Sequence, residues 1–377
     1  MKKIKDEAVA PYSWVEIDLS AIEANYKLIK KIVGPRKKIL AVVKADAYGH
    51  GMVQIARRLS QVKVDYLAVA SLKEAITLRE AKIKEPILLL NAALKNQLDY
   101  LFLYDITATI SDFNQARSLS AKAKSLHKRL KVHIEIDTGM GRYGLWHQEI
   151  ETMKKIFNLP YLEVEGIFTH FPCADTDVNF TKKQITLFKS FLNRLKMENI
   201  SFKLVHAANS AGVINFPGLD FNMVRPGLAL YGLTWDEGIT RKLKLKPAMS
   251  FKTRIVFLKK VSPGRSISYG RTYITKSNRL IATLAVGYAD GYNRLLSNRA
   301  QVLLRGKRAK VVGTVCMDNI MIDTTAIKNA KVGDEVVLFG AEKKERIYVE
   351  ELARICKTIP YEIVCGVSKC VDRLYIN

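Results

Sequence analysis

Six polar residues stand where a run of apolar sequence ends: Lys44, Arg142, His170, Asn209, Ser210 and Arg225. Lys44 closes the stretch Ile39–Val43, where partial loss of water lowers the pKa of a lysine and leaves some of it as free amine. A neutral lysine can condense with an aldehyde and later act as a base. Ser210 heads a short apolar turn, Ala211–Ile214, and Gly227 follows Arg225–Pro226. A hydroxyl beside exposed backbone N–H groups, at a helix start and at a glycine, commonly holds a phosphate. Pyridoxal phosphate, an aldehyde with a phosphate, meets both demands, although spacing alone does not identify it. Taken singly, each residue has a plainer explanation. A lysine after a strand is usually a solvated loop charge, and a lone histidine is usually structural.

What gives the six weight is the architecture that must position them. Buried strands are predicted at Ile39–Val43, Tyr66–Ala70, Pro86–Leu90, Ile106–Ile110, Val132–Ile136, Val164–Phe168, Leu204–His206 and near Met223–Arg225. Helical patterns lie between most of them. Ser20-x-x-Glu23 and Ser71-x-x-Glu74 read as capping boxes, and Ile185, Phe188, Leu192 and Leu195 share a helix face. Alternating buried strands and amphipathic helices imply a parallel (β/α)8 TIM-like barrel. Such barrels carry their chemistry at the C-terminal ends of the strands, the rim on which all six residues fall.

After about Thr240 the pattern becomes strands and glycine-containing turns: Phe251–Leu258, Leu280–Val286, Gln301–Arg305, Ala309–Val315 and Glu335–Phe339, with one late helix at Val349–Cys356. The expected division is therefore a barrel over 12–240 and a mainly antiparallel β-domain over 241–377, with Met1–Pro11 packing against the second.

Composition bounds the rest. The chain of 377 residues is 48% hydrophobic and 26% charged, enough apolar material for two cores. No apolar run is long enough to span a bilayer, and Met1–Val9 lacks the apolar stretch of a signal peptide, so a cytoplasmic location and no membrane partner are expected. Five cysteines in no metal-binding spacing are expected to be mostly buried, with no metal site. The net charge of +25 is spread in short runs such as Lys37–Lys38, Lys182–Lys183 and Lys259–Lys260, with no basic helix or known module. That reads as a solvated lysine-rich surface and argues against a nucleic-acid partner.

The stretch AVVKADAYGHG (Ala41–Gly51) resembles the cofactor-lysine signature of alanine racemases. The resemblance extends through DTGMGRYG (Asp137–Gly144), GIFTHF (Gly166–Phe171), HAANSAG (His206–Gly212), RPGLALYG (Arg225–Gly232), SYGRTY (Ser268–Tyr273), GYADGYNR (Gly287–Arg294), GTVCMDN (Gly313–Asn319) and YEIVCGVS (Tyr361–Ser368). It implies racemisation of L- and D-alanine with pyridoxal 5'-phosphate, supplying D-alanine for peptidoglycan. Lys44 would carry the cofactor and exchange the α-proton on the D face, and Tyr269 would do so on the L face. His170, linked to Arg225, would partner Tyr269, and Arg225 would face the pyridine nitrogen and keep it unprotonated. Tyr48, His170, Asn209, Ser210, Gly227, Leu228 and Tyr361 are the implied cofactor contacts. Arg142 and Met317 are the implied substrate contacts, supported by Asp318, Tyr288 and Arg294. A homodimer is implied, the partner subunit contributing Tyr269 and Met317 to each site.

Two features depart from the family pattern. Glu135 stands where the family often has a lysine, sometimes carbamylated, and its carboxylate is expected to steady Arg142. The end, KCVDRLY (Lys369–Tyr375), replaces a pattern richer in arginine and proline. The rival functions are a racemase preferring serine or a larger amino acid, and a cofactor-binding protein without racemase activity. Tyr361 is expected to narrow the pocket against the former, and the β-domain with its tyrosine argues against the latter. A barrel-type decarboxylase would want a carboxylate, not Arg225, at the ring nitrogen.

Overall fold

The computed structural model describes residues 11–377, so the expectation for Met1–Pro11 lies, Pro11 apart, outside the described residues. The described chain forms two compact units. One comprises Glu23–Ala47 and Gly51–Leu230. The other joins the segment ending at Ile22 and Tyr48–His50 to Tyr231–Asn377.

In the first unit, eight parallel strands among the described residues close into a barrel: Lys38–Val42, Tyr66–Val69, Ile87–Ala92, Thr107–Ile110, Leu130–Asp137, Leu162–Phe168, Leu204–His206 and Met223–Val224. The ring closes because Thr107–Ile110 pairs with Leu130–Asp137 and Met223–Val224 bridges Leu204–His206 to Lys38–Val42. Their side chains are buried almost throughout, as barrel strands packed on both faces require. Helices such as Met52–Gln61, Leu72–Glu80, Phe113–Ser125 and Val178–Met197 connect them.

Ser71 and Glu74 do form the reciprocal cap of Leu72–Glu80. Ser20 does not cap its helix. The helix Leu19–Val33 begins one residue earlier, and Asp18 Oδ1 accepts from the Ala21 amide at 3.0 Å. A carboxylate one turn back reaches that amide, while Glu23 is drawn instead to Lys27 and Arg58.

In the second unit, six antiparallel strands close on themselves in the order Met249–Val261, Arg279–Leu284, Ile320–Asp323, Lys307–Val311, Gln301–Leu304 and Glu335–Glu342. Ser13–Asp18, which falls within the expected barrel segment, instead pairs antiparallel with Met249–Val261 and parallel with the terminal strand Asp372–Ile376. The late helix is Val349–Cys356. No disulfide joins the five cysteines, all of which lie among the described residues, but only Cys356 is buried, while Cys365 and Cys370 are exposed. Among the described residues, no helix is long and apolar enough to cross a membrane.

Candidate active site

Lys44 follows the strand Lys38–Val42 after one buried residue, Val43, and is half-buried. The turn it opens is unusual, because Ala45, Asp46, Ala47 and Tyr48 all take left-handed backbone angles, with φ between 53 and 55°. Side chains with a Cβ pay roughly 1–2 kcal/mol each for that conformation. Hydrogen bonds from outside the turn offset the cost. Glu74 Oε1 accepts from the Ala45 amide at 2.6 Å, and Asp46 Oδ1 accepts from the Met52 amide at 2.8 Å. Glu74 thus serves twice, since its other oxygen accepts from the Ala70 and Ser71 amides. Glu74→Ala strips all three acceptor contacts and is expected to lower stability by about 1–2 kcal/mol. A urea midpoint equal to that of the parent would refute this.

Arg225 is the centre of the barrel's polar interior, only 4% exposed. Its Nη1 donates to His206 Nδ1 at 2.6 Å, and its Nη2 donates to the carbonyls of Thr169 (2.7 Å) and Ala207 (3.1 Å) and to His170 Nδ1 (3.1 Å). Its guanidinium also lies over the Phe168 ring, 4.9 Å from the centroid. Burial lowers the Arg225 pKa to about 10, against the charge of Glu135, which leaves it a cation at neutral pH. Burial, and then the charges of Arg225, Arg142 and Lys44, push His170 well below the ordinary imidazole range. A neutral imidazole that accepts at Nδ1 carries its proton on Nε2. His170 is therefore built to donate from Nε2.

Ser210 is buried, and its Oγ accepts from the amides of Gly227 (3.0 Å) and Ala229 (3.1 Å). Leu228, another of the expected cofactor contacts, lies buried between those two amides. Asn209 supports the start of the helix Ser210–Asn215: its Oδ1 caps it through the Gly212 amide, and its Nδ2 holds the Phe171 carbonyl.

Arg142 is exposed at the tip of a loop that Asp137 organises. The Asp137 carboxylate accepts from the amides of Gly139, Met140 and Gly141 at 2.7–2.8 Å. Gly144, with φ 106°, lies so close to Glu135 that a Cβ there would stand 2.8 Å from its carbonyl oxygen. Sequence reasoning missed Asp137. Its signal was a carboxylate followed by two closely spaced glycines, the pattern of a side chain folding its own loop. Glu135 is 3% exposed, and burial raises its pKa to about 7 against the opposing charges of Arg225 and Arg142. No hydrogen bond or ion pair joins Glu135 to Arg142, so Glu135 acts on it through space.

The second unit holds the remaining expected residues. The Tyr48 and Tyr361 rings pack 5.6 Å apart, and burial raises the Tyr48 pKa strongly, so its phenol stays protonated. Tyr269 begins a one-turn helix, Tyr269–Arg271, and is 71% exposed. Ser268 before it has φ 64° and ψ −176°, a conformation almost confined to glycine. Two bonds hold that strained residue: Ser268 Oγ donates to the Thr314 carbonyl at 2.5 Å, and Thr314 Oγ1 donates to the Tyr269 carbonyl at 2.8 Å. Met317 is 54% exposed, and its carbonyl accepts from the Ala289 amide at 3.0 Å. Gly287 permits this approach, since a Cβ there would meet the Met317 oxygen at 2.1 Å. Tyr288 and Arg294 line a cavity of about 430 Å³ with Glu362 and Ile363. Asp318 lines a separate cavity of about 530 Å³ with Asp290 and Asn319. Among the described residues, no cluster of His, Cys, Asp and Glu is arranged to hold a metal ion.

Comparison with known proteins identifies the family and agrees with the fold. Residues 17–234 match the family model "Alanine racemase, N-terminal domain" and residues 248–375 match "Alanine racemase, C-terminal domain". The chain is 46% identical over 367 residues to an alanine racemase of Halothermothrix orenii, covering 97% of each chain. Its fold is similar to that of an alanine racemase of Clostridium difficile 630, with a TM-score of 0.91, 38% identity and coverage of 98% of this chain and 96% of the other. It is also similar to an alanine racemase of Bartonella henselae, a structure described as having covalently bound pyridoxal phosphate, with a TM-score of 0.87, 28% identity and coverage of 97% and 100%. With both domain models matched in order along almost the whole chain, the protein belongs to the alanine racemase family.

Proposed function

We propose that the protein interconverts L- and D-alanine with pyridoxal phosphate, using Lys44 and Tyr269 as bases on opposite faces of the substrate. The observation that carries this reading is the Arg225 cluster: a buried guanidinium that donates to His170 and His206, in the same unit as Lys44 and the Ser210 cradle. The donor set fits the cofactor. Ser210 with the Gly227 and Ala229 amides suits a phosphate, and Lys44 suits an aldehyde. Arg225 suits a ring nitrogen that must stay unprotonated, because its guanidinium keeps its own proton. Bound pyridoxal phosphate supplies an electron sink that acidifies the α-hydrogen of an amino acid.

The side chains then divide the work. Lys44 takes or returns the α-proton on the D face, and Tyr269 does so on the L face. Racemisation requires this, because the proton leaves one face and its replacement arrives at the other. His170, with its proton on Nε2, steadies the Tyr269 phenolate by donating to it. Arg142 binds the substrate carboxylate, and Met317 supports it through its backbone. The exposure of Tyr269 and Met317 suits a homodimer in which each is covered by, and serves, the partner's site.

The test is an absorbance spectrum combined with solvent-deuterium exchange. Expected are a cofactor band at the visible edge and deuterium entering both alanine isomers as they interconvert. A band without exchange or interconversion on alanine or serine would overturn the reading. Interconversion faster on serine would favour the serine alternative.

Glu135 gives this reading a pH dependence. Its pKa rises from the ordinary 4.5 to about 7, so the folded state holds its proton more tightly than the unfolded chain. Its contribution to stability is therefore fully present below 4.5 and lost as pH rises to about 7, a change of roughly 3 kcal/mol. Glu135→Gln is expected to remove that slope in urea titrations at pH 5 and pH 8. The anion is the form that steadies Arg142, so KM for alanine should fall as pH rises through about 7 in the parent and stay flat in the variant. Parallel KM profiles for the two proteins would defeat this role for Glu135.

A further inference from the structure

The barrel interior holds polar groups that this chemistry does not use. From Arg225 a chain of close contacts runs through the strands: His206 Nε2 lies 2.8 Å from His133 Nδ1, and His133 Nε2 faces Glu165 Oε2 at 3.6 Å. The Tyr66 hydroxyl donates to the same carboxylate oxygen at 2.8 Å, and Lys203 Nζ donates to the other at 3.0 Å. Arg225, His206, His133 and Glu165 are all buried. The fold makes room for them. Gly166 sits opposite His133 in the strand register, and a Cβ there would stand 2.7 Å from the imidazole. The His206 ring stacks on Phe168 at 4.8 Å, the same ring over which Arg225 lies. Lys203 just precedes Leu204–His206, so the chain begins at the barrel's N-terminal rim and ends near the rim that carries Lys44.

The donors along this chain can point only one way. Arginine has no acceptor, so His206 must accept at Nδ1. Burial lowers the pKa of both His206 and His133, which keeps both imidazoles neutral. A neutral His206 that accepts at Nδ1 has its proton on Nε2 and donates to His133 Nδ1. The same reasoning puts the His133 proton on Nε2, aimed at Glu165. At 3.6 Å that last contact is long for a hydrogen bond and acts as a charge facing an N–H dipole. It leaves the Nε2 of a fully buried histidine with the Glu165 carboxylate as its one partner of suitable sign.

We infer that Glu165 is a positioning residue for Arg225: its carboxylate is the acceptor at the far end of the proton order that the guanidinium starts, so that His133 and His206 brace the buried guanidinium in one orientation. The consequence for catalysis rests on the proposed role of Arg225 at the cofactor ring; the proton order does not.

Nitrogen-15 NMR of histidine-labelled protein reads the proton order directly. In the parent, His133 and His206 should each be neutral with the proton on Nε2. In Glu165→Gln, an amide that donates as readily as it accepts lets the order reverse whenever Arg225 releases His206, so mixed tautomers should appear. The variant should also show a shifted cofactor absorbance and a kcat about 3- to 30-fold lower, with KM for alanine unchanged. A parent with either imidazole doubly protonated, or protonated on Nδ1, would overturn the inference, and this measurement stands even if the variant does not fold. A variant whose tautomers match the parent, or whose tautomers change while kcat does not, would overturn it as well. A parent that shows the expected tautomers but no racemase activity would refute the proposed function and leave the proton order standing.

Discussion

Replacing Lys44 by alanine is expected to lower kcat at least about 10⁴-fold in both directions and to erase the visible-edge absorbance of the bound cofactor. The size of the effect follows from combining two functions in one amine. In the proposed function it anchors the aldehyde and carries the proton on the D face, so one substitution would remove both a covalent contact and a base. Lys44 is held at the end of a buried strand by a left-handed turn, and the turn is fastened by Glu74 and Asp46. Retention of more than about 1% of parent activity in both directions would sink the assignment.

Tyr269→Phe is expected to cost about 10²- to 10⁴-fold in racemisation while leaving the cofactor band intact. The loss should be asymmetric. D-alanine should still exchange its α-hydrogen for deuterium with retention, because Lys44 serves that face, whereas L-alanine should stop exchanging. Equal exchange from the two isomers would defeat the two-face assignment. The same residue tests the dimer. Tyr269 is 71% exposed on its own chain and is displayed by the strained Ser268. If it serves the partner's site, co-expressing Lys44→Ala with Tyr269→Phe should recover about a quarter of parent activity, since half the dimers are mixed and each of those has one intact site. No recovery beyond the sum of the separate variants would mean that each site is built from one chain.

Much of this was readable along the chain because it rests on local periodicity. The barrel strands emerge from apolar runs ended by polar residues, and the observed strands begin and end within a few residues of those runs. The cap at Ser71–Glu74 was legible for the same reason: both partners lie within one turn. The cap at Ser20 was misplaced because two carboxylates, Asp18 and Glu23, lie two and three residues from it and only the chain's path decided between them. His206 and His133 were visible only as histidines in otherwise apolar strands, and Glu165 as one more charge. Their chain spans contacts 73 and 32 residues apart, which no periodicity records.

By itself, then, the sequence determined the barrel followed by a β-domain, the family, and which residue types stand at the strand ends, because patterning and short motifs depend on neighbours a few positions away. The tertiary structure decided the direction of donation from Arg225 into His170 and His206, the left-handed turn after Lys44, the anchoring of the Arg142 loop by Asp137, and the through-space action of Glu135. Those features depend on hydrogen-bond direction and loss of water, and both are set by partners that only folding brings together.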